Sequence, residues 1–288
     1  MSKAHGLDKR LNPYRSDLAA SYLRGEVDAR KFVDRTDRQV QIGITPLLRE
    51  PHAAAPQETE LLFGEIFYVY EEKNGWAWGQ AALDDYVGYV AADALGRKIS
   101  EPTHMVAALR TFIYPRPDLK SRPVRPLTMN ALVRVVAAEK NFSQIEGGGY
   151  IFSAHLAPLG AYVRDFVAAA EQYVGVPYLW GGRTSAGIDC SGLVQTSLAR
   201  AGISALRDTD MQETVLGDPV SPPWGPDTLR RGDLIFWKGH CAIMLDETRI
   251  IHANATHMMV AVEPFETAAR RIARTEGDIT NVKRLTGV

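Results

Sequence analysis

The chain has 288 residues, 45% of them apolar, with 33 Lys and Arg against 34 Asp and Glu. That length exceeds one ordinary domain, and a net charge near zero gives no bulk electrostatic affinity for nucleic acid or an anionic membrane surface. Two cysteines, Cys190 and Cys241, without CxxC spacing, exclude a disulfide framework and a cysteine-held metal.

Residues 1–35 read as a polar lead-in with one short helix, Leu18 to Glu26. Met1 to Arg15 has no apolar core segment, so a secretory leader is not expected. No apolar run reaches bilayer length. With two unpaired thiols, these features predict a cytoplasmic protein with no nucleic-acid or membrane partner.

From Gln39 the texture becomes strand-like. Val40 to Ile44, Glu65 to Tyr70, Gly75 to Gln80 and Tyr86 to Ala91 alternate apolar with polar residues, and Lys73-Asn74-Gly75 marks a turn. Residues 36–100 are expected to form a small antiparallel β-barrel. Residues 101–157 read as a second, weaker copy. It begins at Met105 to Leu109, crosses a proline-rich loop from Pro115 to Pro126, and continues in a strand from Ala131 to Ala137. Gly88-Tyr89-Val90 and Gly149-Tyr150-Ile151 occupy matching places, each before a short closing turn.

Residues 158–288 switch to helical spacing. Val163, Phe166, Val167, Ala170 and Val174 share one face of a helix ending at Gly175. A second helix opens at Cys190, runs through Leu193, Val194, Leu198 and Ala201, and stops at Gly202. Strands follow at Leu234 to Trp237, Cys241 to Leu245, Arg249 to Ala253 and Met258 to Val262. Helices before an antiparallel sheet give an α+β domain.

Asp189-Cys190-Ser191-Gly192, after Leu179-Trp180-Gly181-Gly182, is the most informative stretch. Cys190 sits at a helix N-terminus, where exposed amides and the helix dipole favour the thiolate. His240 heads one strand and His252 lies on the next, so the sheet can set them side by side. A nucleophile, a base and an orienting group are then complete, with His252 accepting the proton on the far nitrogen of His240. His257 competes with His252 for the third position. Cys241, inside an apolar strand, reads as core packing. Asp189 also suits a helix cap, and Arg207 with Asp208 suits a structural ion pair. No metal or cofactor is expected.

Trp180-Gly181-Gly182, Asp189 to Gly192, Arg230 to Leu234, Gly239 to Ile243 and Ile251-His252-Ala253 together resemble the NlpC/p60 family of papain-like cysteine peptidases. The resemblance covers about residues 160–288. It implies a papain-like catalytic domain preceded by two SH3-like β-barrels, with Cys190 as nucleophile, His240 as base and His252 as the polar third member. Cys241 departs from the valine more common in the family. Tyr178, Asp189, Ser191 and Leu206 to Gln212 resemble the γ-D-glutamyl-L-diamino acid endopeptidases, or dipeptidyl-peptidase VI-like enzymes. In that subgroup the first barrel closes one end of the cleft. Asp84 to Tyr89 resembles its tyrosine-bearing loop, giving Tyr86. Glu58 to Gly64 resembles the strand supplying an acidic residue, taken as Glu58, with Glu60 and Glu65 close enough to be confused with it.

The resemblance implies a small peptide substrate, L-Ala-γ-D-Glu-diamino acid, and a role in peptidoglycan recycling. Asp189, Glu58 and the Tyr86 hydroxyl would surround its free ammonium, with Ser191 and Tyr178 as further substrate contacts. The diamino acid, lysine or diaminopimelate, is left open, as is oligomeric state. A papain-like amidase or acyltransferase, and a wall-binding protein with a dead catalytic domain, are the competing expectations.

Overall fold

The structure is a computed structural model describing residues 6–286. It divides into two compact units, Met1–Leu159 and Gly160–Val288.

In the first unit, among the described residues, seven strands form one antiparallel sheet. Their order is Gln57–Leu62, Ile44–Leu48, Val87–Ala91, Trp76–Ala81, Ile66–Lys73, Thr36–Val40 and Leu95–Gly96. Alternate residues Leu47, Leu61, Phe67, Val69 and Val90 are buried, as period-two patterning requires. Asn74 and Gly75, both at positive φ, make the tight turn between two of these strands. Extended pairing does not run from Val40 to Ile44. It breaks at Gln41 to Gly43, because Gly43 brings its backbone to the Pro126 carbonyl, 2.5 Å from where a Cβ would stand.

Leu18 to Glu26 is not a helix. Leu18–Ala20 is a short strand parallel to Lys31–Val33, joined through a 3-10 turn at Ser21–Leu23. A nine-residue helix is marginal on its own, and here extended chain buries the same apolar residues. Leu18, Ala19, Ala20, Leu23 and Val27 pack with Tyr70 and Trp78 of the sheet. Arg15 pins this strap. Its guanidinium lies 4.3 Å from the Trp78 ring centroid and bonds the Tyr89 hydroxyl at 2.9 Å and Glu71 at 2.8 Å.

Residues 104–158 carry three smaller sheets around Val106, Ile113, Leu127, Val133, Ile145 and Ile151. The strand expected from Ala131 to Ala137 is interrupted at Arg134, leaving Leu132–Val133 in one sheet and Val135–Glu139 in another. Val87–Ala91 and Tyr150–Phe152 each lead directly into a 3-10 turn, Ala92–Ala94 and Ser153–His155.

In the second unit, among the described residues, six strands form an antiparallel sheet. The order is Asp218–Pro219, Asn281–Arg284, Leu234–Trp237, His240–Met244, Arg249–Asn254 and Met259–Pro264. The helix Cys190–Arg200 packs on His240–Met244 and Arg249–Asn254. The first helix is shorter than its apolar spacing suggests. It spans Phe166–Glu171, capped by the Asp165 carboxylate on the Val167 amide at 3.0 Å, so Val163 and Val174 lie outside it. Leu229, Ile235, Trp237, Met244, Phe265, Ala268 and Val282 form a core on the sheet.

Gly64, at φ +84°, faces the Leu132 carbonyl oxygen 2.2 Å from the position a Cβ would take. Gly64→Ala therefore combines left-handed strain with overpacking, and is expected to destabilise by about 1–3 kcal/mol or more. Thermal unfolding of the full chain measures it, and an unchanged Tm would show that the contact yields freely.

Candidate active site

Asp189 opens the cysteine helix. Its Oδ1 accepts the Gly192 amide at 2.7 Å, which is an N-cap bond. Its Oδ2 accepts the Gly181 amide at 2.8 Å. Arg207 then closes on both oxygens, at 3.0 and 2.6 Å, and also donates to Ser191 Oγ at 2.7 Å. Arg207 is 1% exposed and Asp189 7%, so this is a buried bidentate pair. Gly192 allows the close fit: a Cβ there would stand 2.2 Å from the Gly182 carbonyl oxygen.

Arg207 thus pairs with Asp189 across eighteen residues. Asp189 and Ser191, expected to face substrate, both belong to this network. Protein donors already fill the Asp189 carboxylate, including a 3.3 Å bond from the Ser191 hydroxyl. A substrate ammonium donating to Asp189 would share lone pairs already taken by these donors.

Cys190 is the first residue of the helix. Its thiol is held well below the ordinary range by a hydrogen bond from Cys241, against the cost of burial, and by the charge of and hydrogen bond to His240. Thr209 Oγ1 lies 3.9 Å from both sulfurs. Cys241 is pushed the other way, by burial and then by its contact with Cys190. Cys241, 0% exposed, also faces Gln212 Oε1 at 3.9 Å.

Strand pairing brings the histidines together. His240 Nε2 and His252 Nδ1 are 2.8 Å apart, and the rings are 5.1 Å apart, edge to face. His240 is half-buried and its ring lies 5.7 Å from that of Trp237. His252 is 0% exposed, and burial lowers its pKa although Glu263 opposes the shift. Its Nε2 is 2.7 Å from Glu263 Oε1. His257, the competitor for the third position, instead bonds Asn254 and stands 3.7 Å from Glu263.

Arg271 holds Glu263 with both terminal nitrogens, one of them at 2.7 Å. Glu263 and Arg271 were not among the residues the sequence suggested. The only signal was an acid in an apolar strand with an arginine pair eight residues on.

Tyr178 is half-buried, and its hydroxyl is kept protonated by burial and then by the negative charge of Cys190 and Asp189. In the first unit the Tyr86 hydroxyl donates to Glu58 Oε2 at 3.4 Å, and Glu58 also holds Arg49. Glu65 instead accepts the Leu62 amide at 2.9 Å in its own turn, and Glu60 is buried. Among the described residues no group of three His, Cys, Asp or Glu is placed to hold a metal ion.

A low-pKa thiol at a helix N-terminus, hydrogen-bonded to an imidazole whose far nitrogen is held by a second one, defines a cysteine hydrolase. Residues 175–272 match the NlpC/P60 family, and residues 47–95 match the bacterial dipeptidyl-peptidase Sh3 domain. Dipeptidyl-peptidase 6 of Lysinibacillus sphaericus is 28% identical over 232 residues, 72% of this chain and 84% of the relative. A gamma-D-glutamyl-L-lysine dipeptidyl-peptidase of Bacillus cereus is 26% identical over 242 residues, 73% of this chain and 71% of the relative. The crystal structure of a NlpC/P60 family protein from Bacillus cereus shares the fold, with a TM-score of 0.72 at 17% identity over 86% of this chain and 99% of that one. The chain thus carries an NlpC/P60 domain, the domain of a cysteine peptidase, preceded by a bacterial dipeptidyl-peptidase Sh3 domain.

Two outcomes follow from this geometry. Brief iodoacetamide treatment at neutral pH should label Cys190, 7% exposed with a lowered pKa, and spare Cys241, 0% exposed with a raised one. Because the Cys190 value is lowered, its labelling rate should level off below the ordinary thiol range near about 8.5; peptide mapping that found equal labelling would contradict the assignment. Arg207→Met should cost about 3–5 kcal/mol in urea unfolding, because it strands the Asp189 carboxylate in the interior. Unchanged stability would mean that water reaches the site.

Proposed function

We propose that the protein hydrolyses the γ-D-Glu–L-diamino acid bond of peptidoglycan stem peptides whose N-terminal L-Ala is unblocked. The similarity to dipeptidyl-peptidases along most of the chain supports the reaction class. The observation that carries the specificity is the Tyr86–Glu58 pair on the SH3 domain, at the positions the sequence reading assigns to the substrate amine. On this reading Glu58 and the Tyr86 hydroxyl accept from the substrate amine. Asp189 and Ser191 fix the nucleophile, and Tyr178 supplies a neutral hydroxyl near Cys190.

The chemistry uses groups already in place. The Cys190 thiolate attacks the γ-carbonyl carbon of D-Glu, and the carbonyl π electrons move to oxygen. As the tetrahedral intermediate collapses, the C–N bond breaks and the His240 imidazolium gives its proton to the departing amine. A thioester to L-Ala-γ-D-Glu remains. Water then attacks the thioester carbonyl, and neutral His240 takes the proton. Collapse breaks the C–S bond, restores thiolate and imidazolium, and releases the dipeptide as its carboxylic acid, which gives its remaining proton to solvent. His252 accepts from His240 Nε2 throughout, keeping the other nitrogen toward sulfur.

We read residues 101–157 as a second SH3-like barrel, supported by the repeated strand and 3-10 turn that end both β-units. A need for a free amine makes released peptides the substrate rather than intact polymer, whose L-Ala is acylated. That fits recycling in the cytoplasm.

The test compares L-Ala-γ-D-Glu-L-Lys with its N-acetyl form. Acetylation removes charge-assisted hydrogen bonds worth about 1.5–3 kcal/mol each. With two acceptors, and about 1.4 kcal/mol per factor of ten, kcat/KM should fall by about a hundredfold or more. Comparable values for the two peptides would overturn the amine model, and failure to cleave either would overturn the substrate class.

A further inference from the structure

The polar chain behind Cys190 does not end at the second histidine. It continues His240, His252, Glu263, Arg271, with contacts of 2.8 Å between the histidines and 2.7 Å at each later step. These residues come from the strands His240–Met244, Arg249–Asn254 and Met259–Pro264 and the helix Phe265–Ile272.

The ring protons follow from this order. Glu263 is clamped by Arg271, and its partners hold it ionised, well below the ordinary carboxylate range despite burial. An ionised carboxylate only accepts hydrogen bonds. The hydrogen between His252 and Glu263 therefore belongs to His252 Nε2. Burial keeps His252 neutral, so it has one ring proton and its Nδ1 is an acceptor. His240 Nε2 must then carry the hydrogen that fills the 2.8 Å contact. The remaining nitrogen of His240, Nδ1, is left for the Cys190 thiol.

We propose that Glu263, held by Arg271, is the positioning residue that fixes the ring protons of both histidines and so sets the pH at which Cys190 becomes nucleophilic. This rests on the cysteine-peptidase reading and deepens it. Arg271 keeps Glu263 from taking the ring proton itself. Through two hydrogen bonds the Glu263 carboxylate holds His240 with Nδ1 toward the thiol, and so favours the thiolate of Cys190. The other charged or titratable groups around the chain are His257 beside Glu263, and Cys241, Asp189, Tyr178 and Arg207 around Cys190. None of them contacts His252 Nε2 in place of Glu263.

Glu263→Gln keeps shape and removes the charge. Its amide either offers oxygen to His252 while its NH2 faces Arg271, or offers NH2 and reverses both tautomers. In either case the pH dependence of Cys190 alkylation should move to higher pH. The rate should fall about tenfold at neutral pH, the equivalent of one lost charge-assisted hydrogen bond, and rejoin wild type above the ordinary thiol range. A profile that superimposes on wild type, or one lowered uniformly at every pH, would overturn the proposal; a purely structural role predicts the uniform fall. A second measurement needs no variant. Nitrogen-15 NMR of the wild-type rings should show His252 protonated at Nε2 and bare at Nδ1, and the opposite tautomer would overturn the proposal even if Glu263→Gln did not fold. Neither measurement uses a peptide, so a failed substrate assignment leaves both readings intact.

Discussion

The buried ion pair between Asp189 and Arg207 is the interaction on which the catalytic unit depends. Taking two charges from water costs several kcal/mol each, which only close geometry and filled hydrogen-bonding groups can offset. Both conditions hold. Asp189 takes two backbone amides besides the guanidinium, and Arg207 reaches the Ser191 hydroxyl and the Gly182 carbonyl. The pair thereby joins the glycine turn before the helix, the first turn of the helix and the loop after it. Cys190 sits among these anchors, so its place relative to the sheet is set by contacts it does not make itself.

The sheet supplies the other half of the site. His240 faces the helix from one strand and His252 backs it from the next, an arrangement that antiparallel pairing builds without a long loop. Around the sulfur stand Thr209, whose hydroxyl is 3.9 Å away, and the buried Cys241. A thiolate in such surroundings is stabilised by a few oriented groups and by one nearby imidazolium, and it loses little reactivity to solvation. The buried ion pair and the histidine chain thus act on different properties. The first fixes where the nucleophile stands, and the second fixes its protonation.

Much of this was legible in the chain. The strands Leu234–Trp237 and Arg249–Asn254 are apolar runs bounded by turn residues, which is why their limits match closely. Asp189 before Cys190 reads as a cap, and it is one. Elements went astray where tertiary packing overrode local spacing. Leu18 to Val27 has residues that a helix could bury, but Trp78 and Tyr70 offer a flat surface that an extended strap covers equally well. Gly43 and Arg134 break runs that looked continuous, because neighbouring chain approaches at those points or the strand changes sheets. Nothing local pairs Arg207 with Asp189, eighteen residues back. Glu263 lies on an edge strand, where an acid ordinarily faces water. Its burial comes from the following helix folding back to bring Arg271 over it.

The central claim is that Cys190 carries the acyl group. Rapid acid quench of the enzyme turning over L-Ala-γ-D-Glu-L-Lys, followed by mass spectrometry of the protein and its peptides, tests it directly. The expected product is an adduct with the mass of the L-Ala-γ-D-Glu acyl group, located on the peptide containing Cys190 and lost on treatment with hydroxylamine. An adduct on any other residue, or rapid turnover with no covalent species under conditions that trap a thioester, would contradict it.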